Sequence, residues 1–344
     1  MRTLLNTKAP FRAFALASLM IAASSASARA EQFSFTTLNN NADPTFNQLL
    51  SINNSGVIAG YFGSGAPGHP NKGYTLAPPY GQSNYTNENF PLSVQTQVTG
   101  INNSGQTVGF FADNNGNNVG FVEKNGSFTT VIDPAGPQAP TTINQLLGVN
   151  DKNQAVGFYT DAQGNNHGYL YNITNQTFSA INIAGATSLE ATDINNHGVV
   201  SGFYIAANNN TYGFLDNNGV IKTISIAGSI NTQFLGLNNN GMLVGTYIDA
   251  AGVMHGVEYN SVTGSYVNVD DPNGIGFTTI NGINDKGQMV GFYQDAAGNF
   301  NGLLVNPPPA VPEPSSIALA LIGAASFGVR KASKLRKQKR DASC

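Results

Sequence analysis

An all-β fold is predicted for most of this chain, and three observations predict it. A five-residue phrase built on paired Asn recurs six times, at intervals of 49, 48, 45, 43 and 46 residues. Each copy leads into a short run rich in β-branched and aromatic residues, the composition of strands. Turn signals such as Asn125-Gly126 and Asn218-Gly219 follow, and Asn-Gly supplies the positive φ of tight hairpins.

The copies begin at Ile52-Asn53-Asn54, Ile101-Asn102-Asn103, Val149-Asn150-Asp151, Ile194-Asn195-Asn196, Leu237-Asn238-Asn239 and Ile283-Asn284-Asp285. Behind each comes an apolar strand with a central Gly, such as Thr107 to Phe111, Ala155 to Tyr159 and Met289 to Tyr293. A turn of the type Asp161-Ala162-Gln163-Gly164 precedes a second strand such as His167 to Tyr171. A third strand closes most units: Phe128 to Ile132, Phe178 to Ile183, Ile221 to Ile226 and Tyr266 to Val269. A short apolar piece before the next phrase, such as Phe234 to Leu237, is a candidate fourth.

Three or four strands per roughly 46 residues is the period of a propeller blade. The strands are apolar on both faces, as expected of a sheet stacked between two others rather than one with a wet face. The expected fold is therefore a six-bladed β-propeller. The Gly in each strand (Gly60, Gly109, Gly157, Gly202, Gly245, Gly291) is read as a position near a crowded axis. The sixth unit lacks its closing strand, and Phe33 to Leu38 resembles Ser127 to Ile132. The N-terminal strand should thus complete the last blade and close the ring, which removes exposed sheet edges. In the runner-up fold, a stacked β-solenoid, that strand would cap the first unit instead.

Charge narrows the function classes. Only 10% of residues are charged, yet 41% are hydrophobic, so the body is expected to pack rather than stay disordered. Between Glu31 and Ala310 there are five Lys, no Arg and 17 Asp or Glu, a net charge of −12. A body this acidic has no electrostatic footprint for nucleic acid. Without Arg it cannot build the guanidinium forks that bind substrate carboxylates, which argues against sialidase-like chemistry. The single Cys is Cys344, so no disulfide holds the body together.

Both ends read as targeting segments. Arg2, Lys8 and Arg12 form a positive region, Ala13 to Ala23 an apolar one, and Ala28-Arg29-Ala30 a small-x-small cleavage site. This is the pattern of a signal peptide read by the Sec export machinery, with the mature chain starting at Glu31. At the other end Val311-Pro312-Glu313-Pro314 precedes an uncharged, mostly apolar run, Ser315 to Val329, and a basic cluster from Arg330 to Arg340. Fifteen residues at about 1.5 Å each reach about 22 Å, short of a hydrocarbon core of roughly 30 Å. The run is a marginal transmembrane helix, and its basic flank should stay cytoplasmic. That helix is the only membrane contact expected.

This three-part tail resembles the PEP-CTERM sorting tail of Gram-negative bacteria. The resemblance implies recognition of the motif by an exosortase-type sorting protease, passage to the cell surface or beyond, and association with exopolysaccharide. The repeats from about Leu50 to Val305 also resemble HAF-type extracellular repeats. His167-Gly168-Tyr169 and His255-Gly256-Val257 keep the His of that family's His-Ala-Phe strand, with Gly in place of Ala. The expected organisation is a signal peptide at 1–30, the six-repeat body at 31–306, a Pro-rich linker with the motif at 307–314, and helix plus basic tail at 315–344.

No catalytic residue stands out, and neither a metal nor a cofactor is expected. No HExxH, zinc-spaced Cys or phosphate loop occurs. His167 and His255 fall at equivalent repeat positions and read as residues bonding to a turn. The Asp-x-x-Gly turns hold too few carboxylates for calcium, which takes about six to eight oxygen ligands. Asp270 and Asp271 are adjacent carboxylates, a candidate cation or acid–base pair, against the plainer reading of a solvated loop. The first unit is irregular from Gly63 to Gln97, with Tyr80 and Tyr85 in a Pro-rich loop and His69 nearby. His69, Tyr80, Tyr85, Asp270 and Asp271 are the candidate ligand residues. Three function classes follow: a non-enzymatic surface or matrix protein, a glycan- or small-ligand-binding module using the mouth of the ring, and a hydrolase or lyase on neutral glycans.

Overall fold

The computed structural model describes residues 33–137 and 142–308. The cleavage site at Ala28 and Ala30, the motif Val311, Pro312, Glu313 and Pro314, and the apolar run after it lie outside the described residues. No helix among the described residues is long and apolar enough to cross a membrane.

Twenty-four strands are described. β1 (Ser34–Thr37) comes first. β2 (Asn47–Ile52), β3 (Ile58–Phe62), β4 (Lys72–Leu76) and β5 (Tyr85–Asn87) make a four-stranded antiparallel sheet. β6 (Gln95–Ile101), β7 (Thr107–Ala112), β8 (Asn118–Lys124) and β9 (Ser127–Val131) make the next. β10 (Asn144–Val149), β11 (Gln154–Thr160), β12 (Asn166–Asn172) and β13 (Thr177–Ala180) follow in the same order. β14 (Ala186–Ile194), β15 (Val199–Ala206), β16 (Thr211–Asn217) and β17 (Val220–Ile224) repeat the pattern. So do β18 (Asn231–Leu237), β19 (Met242–Ile248), β20 (Met254–Asn260) and β21 (Tyr266–Asn268). One parallel pair, Thr211 with Asn231, joins those two groups into an eight-stranded sheet. β22 (Thr278–Ile283), β23 (Met289–Gln294) and β24 (Phe300–Asn306) form the last sheet, whose fourth strand is β1.

β1 runs antiparallel to β24 from Ser34 opposite Asn306 to Thr37 opposite Leu303. The Leu38 N–H extends the ladder to the Gly302 carbonyl at 2.8 Å. Strands remote in sequence thus share one sheet.

The first strand of each sheet is longer than the apolar piece the sequence suggests: Asn231–Leu237 rather than Phe234 to Leu237. Polar residues hide its beginning. Asn144 and Asn47 are buried there, and Asn47 donates to the Asp43 carbonyl at 2.8 Å. Each first strand also carries a bulge, as between Leu146 and Gly148, which breaks the alternation a reader would look for.

The bulges correct the reading of the repeated Gly. A Cβ on Gly157 would overlap the Gln145 carbonyl on the neighbouring strand of its own sheet, next to the bulge. Gly109 stands in the same relation to Gln97 and Gly245 to Gln233. These Gly therefore serve pairing within a sheet. Close approach between sheets falls on the bulge residues themselves. A Cβ on Gly148 would stand 2.7 Å from the Cα of Asp193, and one on Gly282 would stand 2.9 Å from the Cα of Ser51.

The core lies between sheets. Val108, Val122 and Val131 pack on Leu146, Val149 and Tyr169 of the following sheet. Val290 and Leu304 of the last sheet pack on Leu49, Ile58 and Leu76 of the β2–β5 sheet. Two equivalent Tyr differ in one respect. The Tyr169 hydroxyl donates to Asn144 Oδ1 at 2.6 Å, whereas the buried Tyr74 hydroxyl has no partner among the described residues. A buried polar group without a partner costs about 1–3 kcal/mol. Tyr74→Phe should therefore raise stability by about 1 kcal/mol, read as a higher urea midpoint with an unchanged slope, while Tyr169→Phe should lower it.

Candidate functional site

The Asn phrases converge on one small cavity, and each Asn has a defined task. Asn53 Oδ1 accepts the N–H groups of Ser55 and Val57, both at 3.0 Å, which folds the turn between β2 and β3. Short amide side chains suit this because they cap their own turn and still have a donor to spare. The spare Nδ2 donates to the Asn102 carbonyl of the next unit at 3.1 Å. Asn102 donates likewise to Asn150, Asn150 to Asn195, Asn195 to Asn238 and Asn238 to Asn284, at 3.0–3.2 Å. Asn284 donates to the Asn53 carbonyl at 3.0 Å, so the series returns to its start.

The next residue in each phrase builds a second cycle. The N–H of Asn54 reaches the side-chain oxygen of Asn103, and the relation passes through Asp151, Asn196, Asn239 and Asp285 back to Asn54, each bond 2.8 Å. The third and sixth copies carry carboxylates, and each carboxylate collects the amides on both sides. Asp151 Oδ2 accepts from Asn103 at 2.7 Å and Asn196 at 2.6 Å. Asp285 Oδ2 accepts from Asn54 at 2.7 Å and Asn239 at 2.8 Å. Burial alone would raise the Asp285 carboxyl, but the bonds from Asn54 and Asn239 outweigh it and hold the group below its ordinary value.

These residues line a cavity of about 60 Å³. One further carboxylate reaches it. Asp193 occupies the bulge position that is Gly in four other units and Ser51 in the remaining one. Its oxygens accept the N–H groups of Ile194 and Leu237, both at 2.8 Å. Burial pushes its carboxyl up to about 7, and those two bonds offset only part of the rise. Chemically the site fastens neighbouring sheets to one another and presents carboxylate and amide oxygens to a small polar solute. Its amide donors are already engaged within the cycle.

The candidates read from the sequence lie elsewhere, and only Tyr80 and Tyr85 among them pack on a common cluster, that of Leu49, Ile58 and Leu76. His69 Nδ1 meets Asp43 Oδ2 at 2.7 Å. Tyr80 donates to the Gly56 carbonyl at 2.9 Å, and Tyr85 packs edge-on to Tyr74 with ring centroids 4.8 Å apart. Asp270 and Asp271 do not act as a pair. Asp270 Oδ2 meets His255 Nδ1 at 2.8 Å, while Asp271 is buried and accepts the N–H of Asn273 at 2.8 Å. The solvated-loop reading therefore fails for Asp271. Burial works against a charged His255, yet Asp270 and Asp249 raise its pKa. His255 also stacks on Tyr247, and His167 on Tyr159 with Asp161 at 2.8 Å, so both bond to a turn as expected. The Asp-x-x-Gly carboxylates are spent locally: Asp161 Oδ1 accepts the N–H groups of Gln163 and Asn165 at 2.9 Å. Among the described residues no group of three or more His, Cys, Asp or Glu could hold a metal ion.

The sequence marked the phrases as punctuation and missed the two cycles. A usable signal was present: two consecutive amide or carboxylate residues in all six copies, with Asp at the second place only in the third and sixth.

Residues 310–337 match the PEP-CTERM protein-sorting motif. The chain carries a PEP-CTERM tail. Such a tail implies exosortase-mediated processing, with export and membrane anchoring before it. The match covers 28 residues and leaves the body unassigned. The body is propeller-like, and its structural neighbours are β-propeller proteins. One is TolB from Acinetobacter baumannii, with a TM-score of 0.51 and 10% identity over 74% of this chain. This chain spans 65% of the length of that one. Another is a TolB-type protein from Agrobacterium tumefaciens, with a TM-score of 0.53 and 10% identity over 80% of this chain and 99% of the other. At such identity the likeness bears on the fold alone. No curated protein matches the chain.

Proposed function

We propose that this is an exported, exosortase-sorted surface or matrix protein whose body, a six-bladed β-propeller closed by β1, binds extracellular polysaccharide without turning it over. The observation that carries the reading is the PEP-CTERM motif at 310–337 behind a body whose polar groups are committed to holding it together. Six repeats of the phrase, two hydrogen-bond cycles that return to the first unit, and the β1–β24 pairing support the closed ring. In this reading residues 1–30 are a Sec signal peptide and 315–344 a transmembrane helix with a cytoplasmic basic tail. The split of Asp270 from Asp271 supports a non-enzymatic role, because adjacent carboxylates with separate partners do not share a proton.

A second reading is favoured by the cavity between the Asn phrases. Its three carboxylates and ring of amides suit a small polar ligand. The two readings separate in one experiment. The full chain, labelled at its single thiol Cys344, is titrated with exopolysaccharide from the producing cells and sedimented with it. Saturable co-sedimentation that survives Asp193→Asn supports polysaccharide binding away from the central cavity. Binding lost with Asp193→Asn moves the site to the cavity. No co-sedimentation at tens of micromolar protein overturns the binding role.

A further inference from the structure

The irregular first unit contains a second, larger cavity, and its chemistry differs from that of the central one. It is a cleft of about 490 Å³, within the roughly 300–1,000 Å³ typical of small-molecule sites. One face of the β2–β5 sheet builds it. Lys72 and Tyr74 alternate along β4 to the same face, and the pairing of Tyr74 with Asn87 sets Asn87 beside them. Phe62, paired with Lys72, joins from β3, and Tyr85 joins from β5. The wall so formed is aromatic: the half-buried Phe62 and Tyr85 supply its surface, and the buried Tyr74 supports both, nearly parallel to Phe62 at 6.4 Å and edge-on to Tyr85 at 4.8 Å.

Around this wall the lining is polar and carries no carboxylate. Lys72, one of only five cations in the body, lines it together with Asn87 and Asn89. Asn40, on the segment between β1 and β2, lines it too. That segment is tied down rather than loose: Asn40 N–H donates to Asn47 at 2.8 Å, and Gln82 bonds both Asn39 and Asn41. The cleft therefore has fixed sides, and it lies where the chain's first strands meet the β2–β5 sheet.

We propose that this cleft is the saccharide subsite of the protein and takes a short run of pyranose rings. The inference rests on the polysaccharide-binding reading above and gives it a location. Aromatic faces stack against the C–H faces of sugar rings, and carboxamides both donate to and accept from their hydroxyls. The Lys72 ammonium can donate to ring oxygens or pair with a uronate carboxylate, in a body otherwise too acidic to hold an anion. The cleft offers all three groups together with room for more than one ring.

The test uses the full chain and fragments of two to six sugars prepared from the exopolysaccharide of the producing cells. The chain has no Trp, so its emission comes from its 13 Tyr, and a ring seated on Tyr85 changes that emission directly. Saturable binding of fragments, weakened at least tenfold by Lys72→Ala and by Asn87→Ala, is the expected result. These two variants leave the aromatic wall intact, and their unfolding midpoints check the fold independently of Tyr85→Ala. Fragment binding that neither variant changes overturns the assignment of the cleft and leaves the broader reading standing. Binding of intact polymer but of no fragment does the same. Failure of both fragments and polymer to bind removes the broader reading with it.

Discussion

Asn284→Ala should cost on the order of 3–5 kcal/mol of folding stability, enough to unfold much of the population of a marginal domain. Asn284 is buried and makes four hydrogen bonds. Its Oδ1 accepts the N–H groups of Lys286 and Gln288, and its Nδ2 donates to the Asn53 carbonyl and to Gln288. Truncation leaves the N–H groups of Lys286 and Gln288 without their side-chain acceptor and the Asn53 carbonyl with the Gly56 N–H alone. Each costs about 1–3 kcal/mol when buried and unpaired. Asn102→Ala removes the corresponding bonds and one more, from the Ser104 hydroxyl, and serves as the comparison between two units adjacent in sequence. Lys286→Ala, at an exposed position two residues along, should be silent within about 0.5 kcal/mol. Urea unfolding of the three variants decides the matter. A loss below about 1 kcal/mol for Asn284→Ala would mean that the bond between the last phrase and the first contributes little.

A second large effect is expected from Asp193→Asn, and it depends on pH. The Asp193 carboxyl titrates near 7 in the folded protein against an ordinary value of 3.8. The folded state therefore holds a proton that the unfolded state releases between those values. Stability is greatest below about pH 4 and falls as pH rises through about 7. The carboxamide never ionises, but its single oxygen can replace only one of the two acceptors that serve Ile194 and Leu237. Relative to the parent, the variant should gain on the order of 2–4 kcal/mol of stability between pH 4 and pH 8, on top of a pH-independent cost for the bond it loses. Some slope should remain in the variant, because burial and the neighbouring Glu123 also push Glu88 up to about 7. Thermal melts from pH 4 to pH 8 give the comparison. Parallel curves for parent and variant would show that Asp193 ionises without penalty.

Much of the fold was legible because every unit writes its turns in the same residues. Asn125-Gly126 and Asn218-Gly219 adopt the positive φ values their sequence demands, and the hairpins form there. The third strands fell within a few residues of their expected places, as for Phe178 to Ile183 against Thr177–Ala180. The first strand of each sheet was the hardest to see, since it opens on polar residues and carries a bulge. The candidate site was harder still. Tyr80 and Tyr85 drew notice as an irregularity, but the cleft beside them depends on Phe62 and Lys72. Only strand pairing brings those residues to the same face. The central cavity depends on bonds between units some 45 residues apart, and a residue's own neighbourhood in sequence says nothing about its partner one unit away. Asp193 was detectable in principle, as a carboxylate where the other units place Gly or Ser.

The pairing of β1 with β24 also sets an order of events during synthesis and export. Of the described strands β1 is the first made and β24 the last, so β1 waits until about 270 intervening residues have been added. Closing so long a loop costs only about 0.6 kcal/mol more than closing one half as long, so the delay is kinetic rather than thermodynamic. Until then β24 has no partner on its outer edge, and an open edge is a template for joining another chain. The matched sorting residues begin at position 310, four residues after β24 ends at Asn306. Completion of the last sheet and arrival of the tail therefore fall almost together in time. A chain in which β1 has not yet met β24 when the tail arrives would carry that unsatisfied edge with it.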